Sequence, residues 1–167
     1  MSGSGQQHKN NKHSMLFMNK TPRAKHGRSS MKEIEIKDLL WSDTAWKNKI
    51  WNQPSYKEIC CMHDLIDNVL NPINSMVGEL KINSGYRCEE LNRLVGGVPN
   101  SQHMLGQAAD IRCASLTKNN EKYLDEVEKF AKEYLNYDQL IRYDTFIHLS
   151  YNALRNRRQY VDKRKRR

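Results

Sequence analysis

The sequence predicts an α+β fold, a single domain with a small antiparallel sheet flanked by helices. Two helical stripes and a set of short strand-like segments carry that reading. Ile59, Met62, Ile66 and Val69 step by three and four, as one face of an amphipathic helix does. Leu124, Val127, Phe130, Ala131, Tyr134 and Leu135 make a second such stripe. Between and after them lie segments rich in β-branched and aromatic residues, too short for helices.

The elements follow in order. The first helix starts near Ser55, and Asn71-Pro72 is expected to bend or restart it, because proline has no N–H to donate. Glu79 to Asn83 reads as a strand ending in the turn Ser84-Gly85-Tyr86-Arg87. Cys88 to Val95 reads as a short helix closed by Gly96-Gly97. Asn100 and Ser101 form a polar turn that presents His103. Gly106 to Cys113 ends as a strand, with small residues where something packs close. After the second long helix, Asp138–Tyr143 and Thr145–Tyr151 read as antiparallel strands joined tightly near Asp144. There is no internal repeat. This order places runs of helix and strand in one α+β layer arrangement.

Charge divides the 167 residues into three parts. The chain carries 28 Lys+Arg against 19 Asp+Glu, net +9. Residues 1–30 hold six basic residues and no acidic one; residues 154–167 hold eight basic residues and one acid, leaving −4 for residues 31–153. The first 30 residues, rich in Ser, Gly, Asn and Lys, are expected to be a disordered basic tail. Residues 154–167 are expected to be a helix end or a basic C-terminal tail, able to bind polyanions weakly and without sequence choice. No stretch approaches 18 apolar residues, so no membrane span is expected. The N-terminus lacks the apolar run of a secretory signal, so the chain is expected to be cytoplasmic as synthesised and a monomer. Cys60, Cys61, Cys88 and Cys113 show no C-x-x-C spacing and are read as free thiols.

The chemistry concentrates between Ser84 and Asp110, with one later histidine. His103 and Asp110 are polar groups on a Gly- and Ala-rich stretch, and His148 interrupts an apolar strand. On that strand Phe146, His148 and Ser150 share one face, so His148 can point into a groove while Ile147 and Leu149 pack in the core. Two imidazoles and a carboxylate form a three-ligand zinc set with a fourth position open, as a hydrolytic site requires. His103 and Asp110 cannot converge along one straight strand at about 3.3 Å per residue; Gly106 permits the turn they need.

In these residues the chain resembles the zinc D-alanyl-D-alanine carboxypeptidase family, peptidoglycan peptidases whose metal domain is shared with the hedgehog signalling domain. The matching elements are Ser84-Gly85-Tyr86-Arg87, Asn92 with Gly96-Gly97, Ser101-Gln102-His103, Gly106 with Ala108-Ala109-Asp110, and Phe146-Ile147-His148-Leu149-Ser150. They cover roughly residues 31 to 153, and the closest likeness is to the small phage and bacterial branch. The resemblance implies a sheet lining a zinc groove, with His103, Asp110 and His148 as ligands of Zn²⁺. It implies that Arg87 holds a substrate carboxylate or an oxyanion, tasks suited to a planar, permanently charged guanidinium. Tyr86 and Ser101 join Arg87 as substrate-binding candidates through the turns they shape. The implied substrate is a peptidoglycan peptide containing D-alanine, cleaved by carboxypeptidase or endopeptidase action, with phage lysis as the expected setting.

The chain departs from the family at the acid/base. Members carry a Glu or Asp three residues before the last zinc histidine, or a His two before it; here those positions hold Thr145 and Phe146. The nearest carboxylate, Asp144, stands four residues before His148 and would share its face if both lay on one strand. In a hairpin turn it would be a turn residue instead. Two other classes stay open: a zinc-fold wall-binding module that has lost its base, and a basic virion or nucleic-acid-associated protein.

Overall fold

A computed structural model of the chain describes residues 32–115 and 119–165. The expected N-terminal tail lies outside the described residues. Five strands form one sheet: β1 (Leu80–Ser84), β2 (Ala108–Cys113), β3 (Gln139–Arg142), β4 (Ile147–Ser150) and β5 (Gln159–Asp162), in spatial order β1-β2-β4-β3-β5. The first four strands pair antiparallel, and β5 lies parallel to β3. The helices are α1 (Ile36–Leu40), α2 (Asp43–Lys47), α3 (Tyr56–Leu65), α4 (Asn71–Met76), α5 (Glu89–Leu94) and α6 (Asn120–Tyr134). The α+β class is as the sequence predicts.

The helix α3 opens with a capping box, in which Ser55 and Glu58 each bond the other's backbone N–H. The α-helix resumes at Asn71-Pro72, as expected, but without a break in the rod. A π-helical segment, Ile66–Leu70, joins α3 to α4, so one helical rod runs through the proline. The wider π turn shifts the hydrogen-bond register just where Pro72 has no N–H to give. Its stripe of Met62, Leu65, Ile66, Val69, Leu70 and Ile73 is buried. Asn119 caps α6 by accepting from Lys122 N, and Tyr123, Leu124, Val127, Phe130 and Ala131 face the core.

Period-two alternation gives the sheet two different faces. Ala109, Ile111 and Cys113 of β2 and Ile147 and Leu149 of β4 belong to the apolar core with the helices. Asp110 and His148 fall on the opposite face. The segment expected as a C-terminal tail instead contains the edge strand β5. Charge counting misses it because several of its cations have partners: Arg157 pairs with Asp138, and Arg164 with Asp162 and Asp125. Tyr160 packs partly against the core, its ring under Lys132 Nζ at 3.2 Å.

Candidate metal centre

Three segments meet on the polar face of the sheet. β2 carries Asp110 and β4 carries His148, and the two are direct partners in the antiparallel ladder. His103 comes from a short 3₁₀ turn, Gln102–Leu105, which ends at Gly106 in the left-handed region with φ +68°. A side chain at 106 would be strained there and would also place a Cβ 2.4 Å from the carbonyl oxygen of Glu58. Gly106 therefore lets the chain turn under α3 and enter β2, as the spacing of His103 and Asp110 requires.

The histidine tautomer is set by the backbone. His103 Nδ1 lies 2.7 Å from the carbonyl oxygen of Gly85, which can only accept, so Nδ1 carries a proton and Nε2 is the atom that gives up its proton to present a lone pair to a metal. That Nε2 stands 3.4 Å from Asp110 Oδ1, and His148 Nδ1 stands 2.9 Å from the same oxygen. One ligand atom from each residue lies within 4.8 Å of the others. A tetrahedral ion with bonds of about 2.0–2.1 Å sets neighbouring ligand atoms about 3.3 Å apart, so the cluster has the dimensions of a zinc site. The carboxylate is also in the right state. Burial pushes Asp110 up, but hydrogen bonds and charge interactions with His103 and His148 outweigh it and hold the group well below the usual carboxylate range. An ionised Asp and an imidazole oriented by a carbonyl are what metal binding needs.

A family model described as Peptidase M15 matches residues 32–150. The chain belongs to the peptidase M15 family. No curated protein matches the chain. The matched span contains His103, Asp110, His148 and Arg87, and it ends before β5. M15 peptidases are zinc-dependent, and the donor set here fits that metal.

Around this M15 cluster, Arg87 is ion-paired with one of the candidate ligands. Its Nη2 donates to Asp110 Oδ2 at 3.0 Å and its Nε to Ser84 Oγ at 2.8 Å, while its backbone N–H donates to the carbonyl of His103 at 3.2 Å. The guanidinium thus grips the oxygen of Asp110 that faces away from the histidines. A register shift in β1 makes this possible: after Ile82 pairs with Ile111, Ser84 rather than Asn83 stands opposite Asp110. Tyr86 is buried and donates its hydroxyl to the carbonyl of Gln53 at 3.3 Å. Ser101 is buried at the start of the 3₁₀ turn, where Met104 N–H donates to its carbonyl. Both side chains sit in the turns around the cluster.

Asp144 lies apart from the strand reasoning that singled it out. β4 begins at Ile147, and Tyr143 to Phe146 form a tight turn closed by Tyr143 N–H donating to the carbonyl of Phe146 at 3.0 Å. Asp144 and Thr145 are exposed at its tip, and the rings of Tyr143 and Phe146 stack at 4.3 Å across its base. The offset of four residues therefore does not put Asp144 on the face of His148. Backbone preference for Asp in turns accounts for its position.

The M15 site also has a support that sequence reasoning missed. Asp138, buried at the start of β3, accepts from Gln102 Nε2 at 2.9 Å and from Arg157 at three nitrogens, the backbone N (3.0 Å), Nε (2.9 Å) and Nη2 (2.6 Å). It ties the residue beside His103 to the segment leading into β5. The Asn52 side chain does similar work on the other flank, donating to the carbonyls of Leu40 and Tyr86 and accepting from Cys88 N–H. The sequence assigns neither residue a role, because their partners are remote in the chain.

Proposed function

We propose that the protein is a zinc metallopeptidase that hydrolyses D-alanine-containing peptide bonds of peptidoglycan. The observation that carries the reading is the convergence of His103, Asp110 and His148 at zinc-like spacing, with the Arg87 charge fixed beside them. Zinc held by these three side chains would supply a Lewis acid that polarises a scissile carbonyl and lowers the pKa of water. The chain's own contribution is orientation and charge. Gly85 holds the His103 tautomer, the β2–β4 register places Asp110 against His148, and Arg87 keeps Asp110 directed by donating to its Oδ2. The same guanidinium provides a positive charge near which a substrate carboxylate or developing oxyanion is stabilised.

A second reading is favoured by one observation. Among the described residues, the metal-binding group consists of His103, Asp110 and His148 with no further imidazole, thiol or carboxylate in it, and Asp144 and Thr145 occupy an exposed turn. On this reading the fold retains metal and grips cell wall without cutting it. Zinc analysis combined with digestion of purified muropeptides separates the two. Stoichiometric zinc with chelator-sensitive cleavage supports the peptidase; stoichiometric zinc with no cleavage of any wall preparation supports the binding module.

A further inference from the structure

Four aromatic residues take no part in the core or the metal cluster. Trp41, Trp46, Trp51 and Tyr56 recur every five residues. Their exposures are 62%, 74%, 80% and 82%. A concentration of exposed indoles of this kind marks an interaction surface. The segment that carries them is held in place. Ser42 caps α2 by accepting from Ala45 N–H, and Ile50 N–H donates to the carbonyl of Ala45. The rings of Trp41 and Trp46 stack with centroids 6.2 Å apart, and Trp41 Nε1 donates to Asp43.

Between this segment and α5 an open groove of about 430 Å³ is lined by Asn48, Ile50, Glu90, Arg93 and Leu94. It joins the aromatic segment to α5. The same segment is bound to the turn that carries Arg87, through Asn52 to Tyr86 and Cys88 and through Tyr86 N–H to the carbonyl of Leu39. The segment is therefore anchored to the flank of the metal centre.

We propose that this face binds the glycan strand of the wall polymer, a chain of β-linked N-acetylated amino sugars, while the attached peptide reaches the metal centre. The choice of polymer rests on the peptidoglycan reading above. The chemistry of the face selects a sugar. A pyranose ring presents an apolar C–H face that packs on an indole, and a rim of hydroxyl and acetamido groups that need donors and acceptors. Here the segment that carries the exposed rings also supplies Asn48 and Ile50 to a groove that Glu90, Arg93 and Leu94 complete, so an amide, a carboxylate and a guanidinium surround a small apolar floor. A lipid surface would instead call for continuous aliphatic side chains. Between residues 41 and 56 the aliphatic residues are Ala45, which is buried, and Ile50. Holding the glycan would raise the effective concentration of its peptide at the site.

The test uses the full chain and three variants, Trp46→Ala, Trp51→Ala and the double substitution. Affinity for chitohexaose, a soluble β-linked N-acetylglucosamine oligomer, is measured by calorimetry, and zinc content and cleavage of a soluble sugar-free wall peptide are measured in parallel. The wild type should bind the oligomer, and the double variant should lose about tenfold or more in affinity, as when interface aromatics are truncated. Zinc content and sugar-free peptide cleavage should not change. A wild type that cleaves the peptide but has no affinity for the oligomer overturns the glycan surface and leaves the peptidase reading standing. A wild type that binds the oligomer through these tryptophans but cleaves nothing overturns the peptidase reading alone. Unaltered affinity in the double variant, or tryptophan-dependent binding to lipid vesicles without sugar binding, overturns the proposal.

Discussion

Asp110 and His148 stand directly opposite each other in the β2–β4 ladder, and the carboxylate Oδ1 lies 2.9 Å from Nδ1 of the imidazole. Strand pairing thus fixes the relation of two proposed ligands before any metal arrives. Slippage of β4 by one residue would turn His148 into the core and Ile147 toward the site. The third ligand, His103, is added by a 3₁₀ turn whose orientation depends on Gly85, Gly106 and Gln102.

Arg87 grips the far oxygen of Asp110, so its replacement should be felt at the metal as well as by substrate. Arg87→Lys keeps the charge but loses the paired Nε and Nη2 contacts to Ser84 and Asp110. Zinc affinity should fall about 10–100-fold, the usual consequence of losing a group that orients a ligand. Competition with a chromogenic chelator measures this. Unchanged affinity together with unchanged turnover would reduce Arg87 to a structural ion pair.

Gly85 is the tightest point of the site. A Cβ there would lie 2.3 Å from the carbonyl oxygen of Leu39, a backbone atom with little room to move. Gly85→Ala should destabilise the fold by about 1–3 kcal/mol through overpacking, or roughly 2–4 °C in Tm for each kcal/mol. It should also weaken zinc binding, because the carbonyl of residue 85 orients His103. Thermal melts with and without added zinc report both effects. A variant as stable and as tight for zinc as the wild type would contradict the packing account.

What the sequence made legible was local. The stripes of α3 and α6 are periodic, and the ligands stand in short motifs with fixed spacing, so each could be read within a window of a few residues. Asp144 misled because an even offset has meaning only along a continuous strand, and the Tyr143–Phe146 turn ends that continuity. The strand β5 was hidden by charge: Gln159, Tyr160 and Val161 are flanked by cations, whose partners lie elsewhere in the chain. The roles of Asp138 and Asn52 were illegible for a related reason, since their bonds span 12 to 36 residues.

Asp138 makes the stability depend on acid. Hydrogen bonds from Arg157, opposed by burial and helped by Gln102, hold its carboxyl below the ordinary value. A depressed folded-state pKa contributes stability that is present above the unfolded value, about 3.9, and is lost as pH falls through the folded one. Asp138→Asn should lower stability at pH 7 by about 1 kcal/mol, since the half-exposed Arg157 and Gln102 lose an ionised acceptor but can still reach water. It should also lose less than the wild type between pH 5 and about 3. Urea midpoints at the two pH values test this; parallel acid losses in the two proteins would contradict it.

Asp144 offers a sharp contrast. A general base contributes about 10²–10⁴-fold to rate, whereas an exposed turn residue contributes nothing to chemistry. Asp144→Asn should leave zinc content unchanged and reduce cleavage by less than about tenfold, below the range a lost base produces. Steady-state cleavage of a purified muropeptide measures it. A loss of two orders of magnitude at full zinc occupancy would return Asp144 to the catalytic machinery.

The central claim is that His103, Asp110 and His148 form one zinc site that performs peptide hydrolysis. The most direct measurement is zinc content and muropeptide cleavage determined on the same samples of wild type, His103→Ala and His148→Ala. The account predicts close to one zinc per wild-type chain with chelator-sensitive cleavage, and loss of most zinc and all cleavage in both variants. Stoichiometric zinc retained in both variants, or cleavage that survives its removal, would contradict it.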